Sequence, residues 1–449
     1  MTYFRVIWLI LRWTARFVFR LVRWALLIGL VLFLVQYSVP PYGDDWTAVG
    51  VIVRDHQFDY VTWEVGALAA KTAQTVWGEH PFLSEADRSD RVRAYFADLQ
   101  RARALESQIE RAYAEADTPE AAKRAAAAWI AERDLLRADL AARQTLIEAI
   151  LEGQVAAVLT ELGFGIGGQL LPPMSMRFTQ VPNLLIVSPR DEIRFDISIN
   201  LDPLPVDTQA ALEGQIDRAR DVSSLIVPLG GIALYPAMIL ETTSIPFAVE
   251  TFAHEWLHHY LFAFPLGLNY DFAGEARIIN ETTASIFGRE VGPLVLRRYY
   301  PELAPAAATG VSTPEPLRNR LVRAWQRDEP PANPDGDPFD PGRALHNTRV
   351  RVDTLLAEGR VQAAEAYMEA RRRLFVANGY PLRKLNQAYF AFFGGYQSDV
   401  RGAGGSDPIG PAVRALLERS ESIHAWIITM RTITTREALL SQAEVIESG

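Results

Sequence analysis

The sequence predicts an α+β protein that is mostly helical. Three observations carry this reading. Long Ala-, Glu- and Arg-rich stretches run with few helix breakers, short β-rich runs are confined to the middle of the chain, and a Pro-rich stretch sets off a second helical part. With 449 residues, 49% of them hydrophobic, a sizeable core and about two or three domains are expected.

Residues 1–43 read as a basic N-terminus and a membrane anchor. They hold five arginines (Arg5, Arg12, Arg16, Arg20, Arg23) and no carboxylate, although the whole chain carries a net charge of −9. Ala25 to Val35 is uninterrupted apolar sequence, with Trp24 and Tyr37 at interface positions. A helix from Trp24 to Val39 spans roughly 24 Å, a little short of the ~30 Å hydrocarbon layer. Arg20 and Arg23 are placed to snorkel and close that gap. Arg12, Arg16 and Arg20 fall four apart on one helical face, suited to headgroups. Positive charge marks the cytoplasmic side, so a single-pass anchor in the lipid bilayer, with the body outside the cytoplasm, is expected. Pro40-Pro41 after Ser38-Val39 is a poor cleavage site, which favours an uncleaved anchor over a signal peptide.

Residues 44–165 are expected to form a helical arm. Residues 59 to 77 have helical periodicity. From Leu83 to about Gly163 the sequence is broken once, at Asp117-Thr118-Pro119, where Thr118 as N-cap and Pro119 in the first turn start a second helix. The pattern fits a long antiparallel hairpin or coiled-coil arm, and equally a packed helical subdomain with a solvated charged face.

Residues 166–300 form the expected central core, with a small sheet. Gly163 to Pro173 is a Gly/Pro-rich joint. Leu184–Val187 and Ile193–Asn200 are β-rich runs around Ser188-Pro189-Arg190-Asp191, a hairpin signal. Ser224 to Leu240 reads as one or two further strands kinked at Gly230-Gly231, and helix takes over from Pro246. Residues 301–343 read as a flexible Pro-rich linker. Residues 344–449 are helical again, with a break at Gly402 to Gly405, and are expected to complete the central domain.

Composition also excludes some functions. The acidic body argues against nucleic acid as a partner. The chain has no cysteine, so disulfides, thiolate catalysis and Cys-type zinc sites are ruled out, and any metal must sit on His and carboxylate.

The chemistry concentrates in Pro246 to Phe262 (PFAVETFAHEWLHHYLF), a helical segment with proline in its first turn. Glu250, Thr251, His254, Glu255, His258 and His259 form one polar stripe on an otherwise apolar helix. A buried polar stripe needs partners. A metal would supply them: His254 and His258, four apart, project from one face and can share one Zn²⁺. Glu255 lies beside them, positioned to accept a proton from water rather than to ligate. The bland alternative is two core histidines satisfied by hydrogen bonds. A catalytic zinc needs a third protein ligand, and Glu281 is the leading candidate. The positions stacked with it (Ala284, Ser285, Gly288) are small, which lets its helix approach closely. Glu275 and Asp271, in the nearby stretch NYDFAGEA, are rivals. His259 reads as a supporting or core residue, and His56, His80, His346 and His424 show no ligand spacing.

His254-Glu255-x-x-His258 followed by Asn280-Glu281-x-x-Ala284 resembles the gluzincin metallopeptidase pattern. Leu385-Asn386-Gln387-Ala388-Tyr389 through Tyr396, with Ala415-Leu416-Leu417, is similar to a bacterial group classed by sequence as aminopeptidases, which favours Asn-Asn where this chain has Asn386-Gln387. The resemblance covers Phe247 to Arg289 and, more loosely, the C-terminal hundred residues. It implies a zincin-like catalytic domain, His254, His258 and Glu281 as zinc ligands, Glu255 as general base, and a peptide or protein substrate. The Gly-x-Met-Glu-Asn motif of well-known aminopeptidases is missing, so the resemblance does not carry recognition of a free amino terminus.

The expected chemistry is hydrolysis of a peptide bond by a metal-activated water, with Glu255 passing the proton on to the leaving amine. Tyr396, after Gly394-Gly395, and Tyr389 are candidates for the oxyanion donor. The strand pieces around Gly230 to Leu240 are placed to bind an extended peptide by edge pairing. A different class of function is a membrane-tethered scaffold with an inactive site, which the intact Glu255 argues against.

Overall fold

The computed structural model describes residues 2–35, 43–116, 118–272, 274–305, 339–398 and 402–445. Most of the linker expected over 301–343 therefore lies outside the described residues. The architecture is mostly helical with small sheets. Contacts divide the chain into Met1–Ile52 and Val53–Gly449.

The first unit holds α1 (Thr2–Val35) and α2 (Asp45–Ile52), the latter capped where Asp44 accepts from the Thr47 amide at 2.8 Å. Here the sequence expectation is corrected. Among the described residues no helix is long and apolar enough to cross a membrane. In α1 the arginines at 12, 16, 20 and 23 leave only Ala25–Val35 as uninterrupted apolar helix. That run rises about 16 Å, roughly half of a hydrocarbon layer. Residues 36–39, which the expected span also needed, lie outside the described residues. The orientation expected of the body loses that support.

The second unit begins with α3 (Tyr60–Trp77), whose N-cap Asp59 accepts from the Thr62 amide. Helices α4 (Glu85–Glu115), α5 (Pro119–Ala125) and α6 (Ala127–Leu159) follow, and Thr118 caps α5 through the Ala121 amide. The ion pairs Asp98–Arg143 (2.7 Å) and Glu106–Arg137 (2.8 Å) run in opposite order along α4 and α6, so the two helices are antiparallel. They form no free arm. Tyr95, Phe96 and Leu99 of α4 and Ile150, Val155 and Leu159 of α6 belong to the same core as the central helices.

Eight short strands occupy the middle of the chain: β1 (Gly165–Ile166), β2 (Gln169–Leu170), β3 (Met176–Thr179), β4 (Asn183–Pro189), β5 (Ile197–Leu201), β6 (Val222–Pro228), β7 (Gly231–Ile232) and β8 (Ala237–Leu240). They make a β1-β2 pair and two three-stranded sheets, β3-β8-β7 and β5-β4-β6, instead of one small sheet. The hairpin β4–β5 is antiparallel, but β5 begins only at Ile197. Ser188 Oγ accepts from the Arg194 amide and donates to the Glu192 carbonyl, both at 3.1 Å, which keeps the residues before β5 in a turn. Helix α7 (Val206–Arg220), which hydrophobic patterning does not announce, separates β5 from β6 and packs on β6.

Then come α8 (Ile245–Leu261), the single turn α9 (Pro265–Leu268) and α10 (Gly274–Tyr299). The C-terminal part contains α11 (Pro341–Ala357), α12 (Val361–Ala377), α13 (Gln387–Phe393), α14 (Ile409–Arg419), α15 (Ile423–Met430) and α16 (Arg436–Val445). Two hydrophobic cores result. One gathers α4, α6, α8, α10 and α14; the other joins β4 and β6 to α11, α12 and α13.

Candidate metal centre

Helix α8 starts at Ser244, whose hydroxyl accepts from the Phe247 amide, and is buried along nearly its whole length. It packs along α10, and the close approach depends on one glycine. A Cβ at Gly288 would fall 2.7 Å from the Glu250 carbonyl oxygen and 3.4 Å from His254 Cβ. Only glycine lets α10 lie near enough for a glutamate side chain to reach the α8 histidines.

The six polar residues of the α8 stripe divide their tasks. Thr251 Oγ1 donates back to the Phe247 carbonyl at 2.8 Å, and Glu250 lies against Arg289. His259 Nε2 faces the Leu234 carbonyl at 2.6 Å, and burial pulls its pKa down to about 4, a supporting role between α8 and the β7–β8 connection. His254, Glu255 and His258 remain.

His254 Nε2 and His258 Nε2 lie 3.1 Å apart, and each is 3.7 Å from Glu281 Oε2. One ligand atom from each residue lies within 4.8 Å of the others, and the group is buried or nearly so. Glu281 Oε2 is buried without a hydrogen-bond partner. Its other oxygen, Oε1, accepts from the Tyr270 hydroxyl. His258 Nδ1 faces Asn280 Oδ1 at 2.8 Å while Asn280 Nδ2 donates to the Leu266 carbonyl at 3.4 Å. Asn280 thus presents its oxygen, the proton sits on His258 Nδ1, and the Nε2 lone pair points into the group.

Electrostatics agree with that geometry. Burial, then the neighbouring His258, pulls the His254 pKa down to about 3, so its imidazole is neutral and able to ligate. Burial alone would push Glu281 up, but His258, His254, Arg277 and the Tyr270 hydroxyl together hold it below the ordinary carboxylate value. Two imidazole nitrogens facing a carboxylate oxygen that has no hydrogen-bond partner are a donor set that a cation completes.

Glu255 meets strand β7. A Cβ at Gly231 would fall 2.2 Å from Glu255 Oε1, so the backbone of β7 is seated directly on this carboxylate. Burial, then the charge of Glu281, pushes the Glu255 pKa well above its ordinary value. This carboxylate is therefore more basic than an ordinary glutamate.

The rivals for third ligand stand elsewhere. Glu275 accepts from the Arg436 amide at 2.9 Å, and Asp271 is exposed. Tyr396 is half-buried and edge-on to Phe392 at 5.3 Å. Burial, then the charges of Glu281 and Glu255, raises its hydroxyl well above the ordinary value. Tyr389 is buried in the second core, 4.5 Å from Phe393 between ring centroids, and packs there. His424 lies edge-on to Phe164, 4.9 Å between ring centroids.

Sequence reasoning missed Tyr270, Arg277 and Gly231, and gave Asn280 no role. Asn280 and Arg277 had a signal, since they stand one and four residues before Glu281. Tyr270, in the turn after α9, had none.

No protein-family model, no curated protein and no solved structure matches this chain.

Proposed function

We propose that this chain is a zinc-dependent metallopeptidase of the gluzincin type that hydrolyses peptide bonds. The observation that carries the proposal is the meeting of His254 Nε2, His258 Nε2 and the unpartnered Glu281 Oε2 beside the Glu255 carboxylate. The donor set suits zinc: two imidazole nitrogens and a carboxylate oxygen, with no fourth ligand among the described residues, match open catalytic sites rather than closed structural ones. An ion held there supplies Lewis acidity, which acidifies water and polarises a carbonyl.

The chain's own residues do the remaining work. Glu255, made more basic by burial, takes the proton of the attacking water and delivers it to the leaving amine. Tyr396, whose hydroxyl feels the charges of Glu281 and Glu255, is the candidate donor for the developing oxyanion. Strand β7 is the outer strand of its sheet and touches Glu255, so a peptide paired to its free edge would pass the base.

Glu255→Gln is the test. The variant keeps shape and polarity but accepts no proton. It should retain zinc and lose roughly 10²–10⁴-fold in turnover of a cleaved peptide. Full activity in Glu255→Gln would overturn the mechanism.

A further inference from the structure

The body's buried and half-buried arginines are mostly matched to carboxylates. Arg383 forks onto Glu213, Arg190 onto Glu365, and Arg137 onto Glu106 and Glu241. Arg277 differs. Among the described residues it makes no ion pair, and its close partners are two aromatic rings. The guanidinium carbon lies 3.4 Å from the centroid of Phe195 and 5.3 Å from that of Tyr270.

Its position makes this informative. Arg277 stands four residues before Glu281 on α10, so the two side chains share one face a single turn apart. Tyr270 links them, with its ring beside the guanidinium and its hydroxyl on Glu281 Oε1, and it lies edge-on to His258 at 5.9 Å. Phe195 comes from the β4–β5 connection and packs on the second core, as does Tyr396. Arg277 therefore crosses from the first core to the second beside the metal centre.

The charge of Arg277 is felt by Glu281, yet no carboxylate among the described residues is in hydrogen-bonding contact with its guanidinium, so its N–H groups have room for an anion from outside. Stacking on Phe195 fixes the guanidinium plane, yet leaves its edge N–H groups open to a planar two-oxygen acceptor. A carboxylate is that acceptor, and peptides bring carboxylates at the chain terminus and on Asp and Glu side chains. We propose that Arg277 is a specificity-determining residue that seats a substrate carboxylate beside the metal centre. The inference rests on the peptidase reading given above.

The test uses the full-length, zinc-loaded protein and one peptide library in three forms. The forms are free carboxyl termini, C-terminal amides, and amides in which Asp and Glu are replaced by Asn and Gln. Removing the recognised carboxylate should lower kcat/KM about 10- to 100-fold, as expected for hydrogen bonds to a charged group. A fall at the first replacement identifies the chain terminus; a fall at the second identifies an acidic side chain. Arg277→Gln should erase the preference between forms, and Arg277→Lys should keep part of it, having the charge without the fork. A purely packing role would instead lower all three forms by the same factor. Wild-type protein that turns over the three forms equally, or Arg277→Gln that keeps the preference, overturns this inference and leaves the peptidase reading standing. Zinc-loaded protein that cleaves no peptide in any form overturns both.

Discussion

Glu213 and Glu281 are both buried carboxylates on helices, 2% and 5% exposed. Glu213, on α7, is fully matched. Its Oε1 accepts from the Ile226 amide and from Arg383 Nη2, both at 2.6 Å, and its Oε2 accepts from Arg383 Nη1 at 2.8 Å, with Lys384 Nζ 3.5 Å away. Glu281, on α10, is matched on one oxygen only; the other faces two imidazole nitrogens 3.7 Å away. The first carboxylate fastens α7 to β6 and to the segment before α13, and it is complete as it stands. The second carries an unsatisfied acceptor, which costs free energy in a buried place unless a ligand completes it. Burial of charge alone does not mark a functional site. Burial with an unfilled valence, aimed at other lone pairs, does.

That contrast can be broken by substitution, beginning where the effect is largest. Glu213→Ala strands Arg383 and the Ile226 amide, while Lys384 keeps Asp217, and should destabilise the protein by about 3–5 kcal/mol in urea unfolding. Glu281→Gln, measured on metal-free protein, should cost less, because the amide keeps the shape and the contact to Tyr270 while relieving an oxygen that has no hydrogen-bond partner. Equal losses in the two variants would erase the distinction between them.

The partners behind the ligands come next. Asn280→Ala removes the group that holds the His258 proton on Nδ1, and should weaken zinc binding by about 10–100-fold in a chelator competition. Tyr270→Phe removes one hydrogen bond to Glu281 and should weaken it less, by about 2- to 10-fold. A larger effect at Tyr270 than at Asn280 would mean that Glu281, not His258, is the ligand whose orientation limits affinity.

Local patterns were legible in the sequence. Thr118 starts a helix by capping, Pro246 sits in the first turn of α8, and the i, i+4 spacing puts His254 and His258 on one face. Small residues around Glu281 foretold the close α8–α10 contact that Gly288 allows. What the sequence hid depends on tertiary placement. Gly231 was read as a kink, because nothing local says that Glu255 presses against it. Phe195 and Arg277 are 82 positions apart in the chain and meet only when the second core closes on α10. Strands β7 and β8 belong to a different sheet from β6, a division that no alternation of side chains in so short a stretch encodes. The expected anchor failed for a simpler reason: its uninterrupted apolar run is too short once the flanking arginines are counted.

The most direct test is the zinc content of the full-length protein, purified without chelator and again after reconstitution, beside His254→Ala and Glu281→Ala. One zinc per chain is expected in the parent, with high-affinity binding lost in His254→Ala and weakened in Glu281→Ala, so that excess metal partly restores the latter. A parent that holds no zinc before or after reconstitution, or a Glu281→Ala protein that holds it as tightly as the parent, would contradict the metal centre described above.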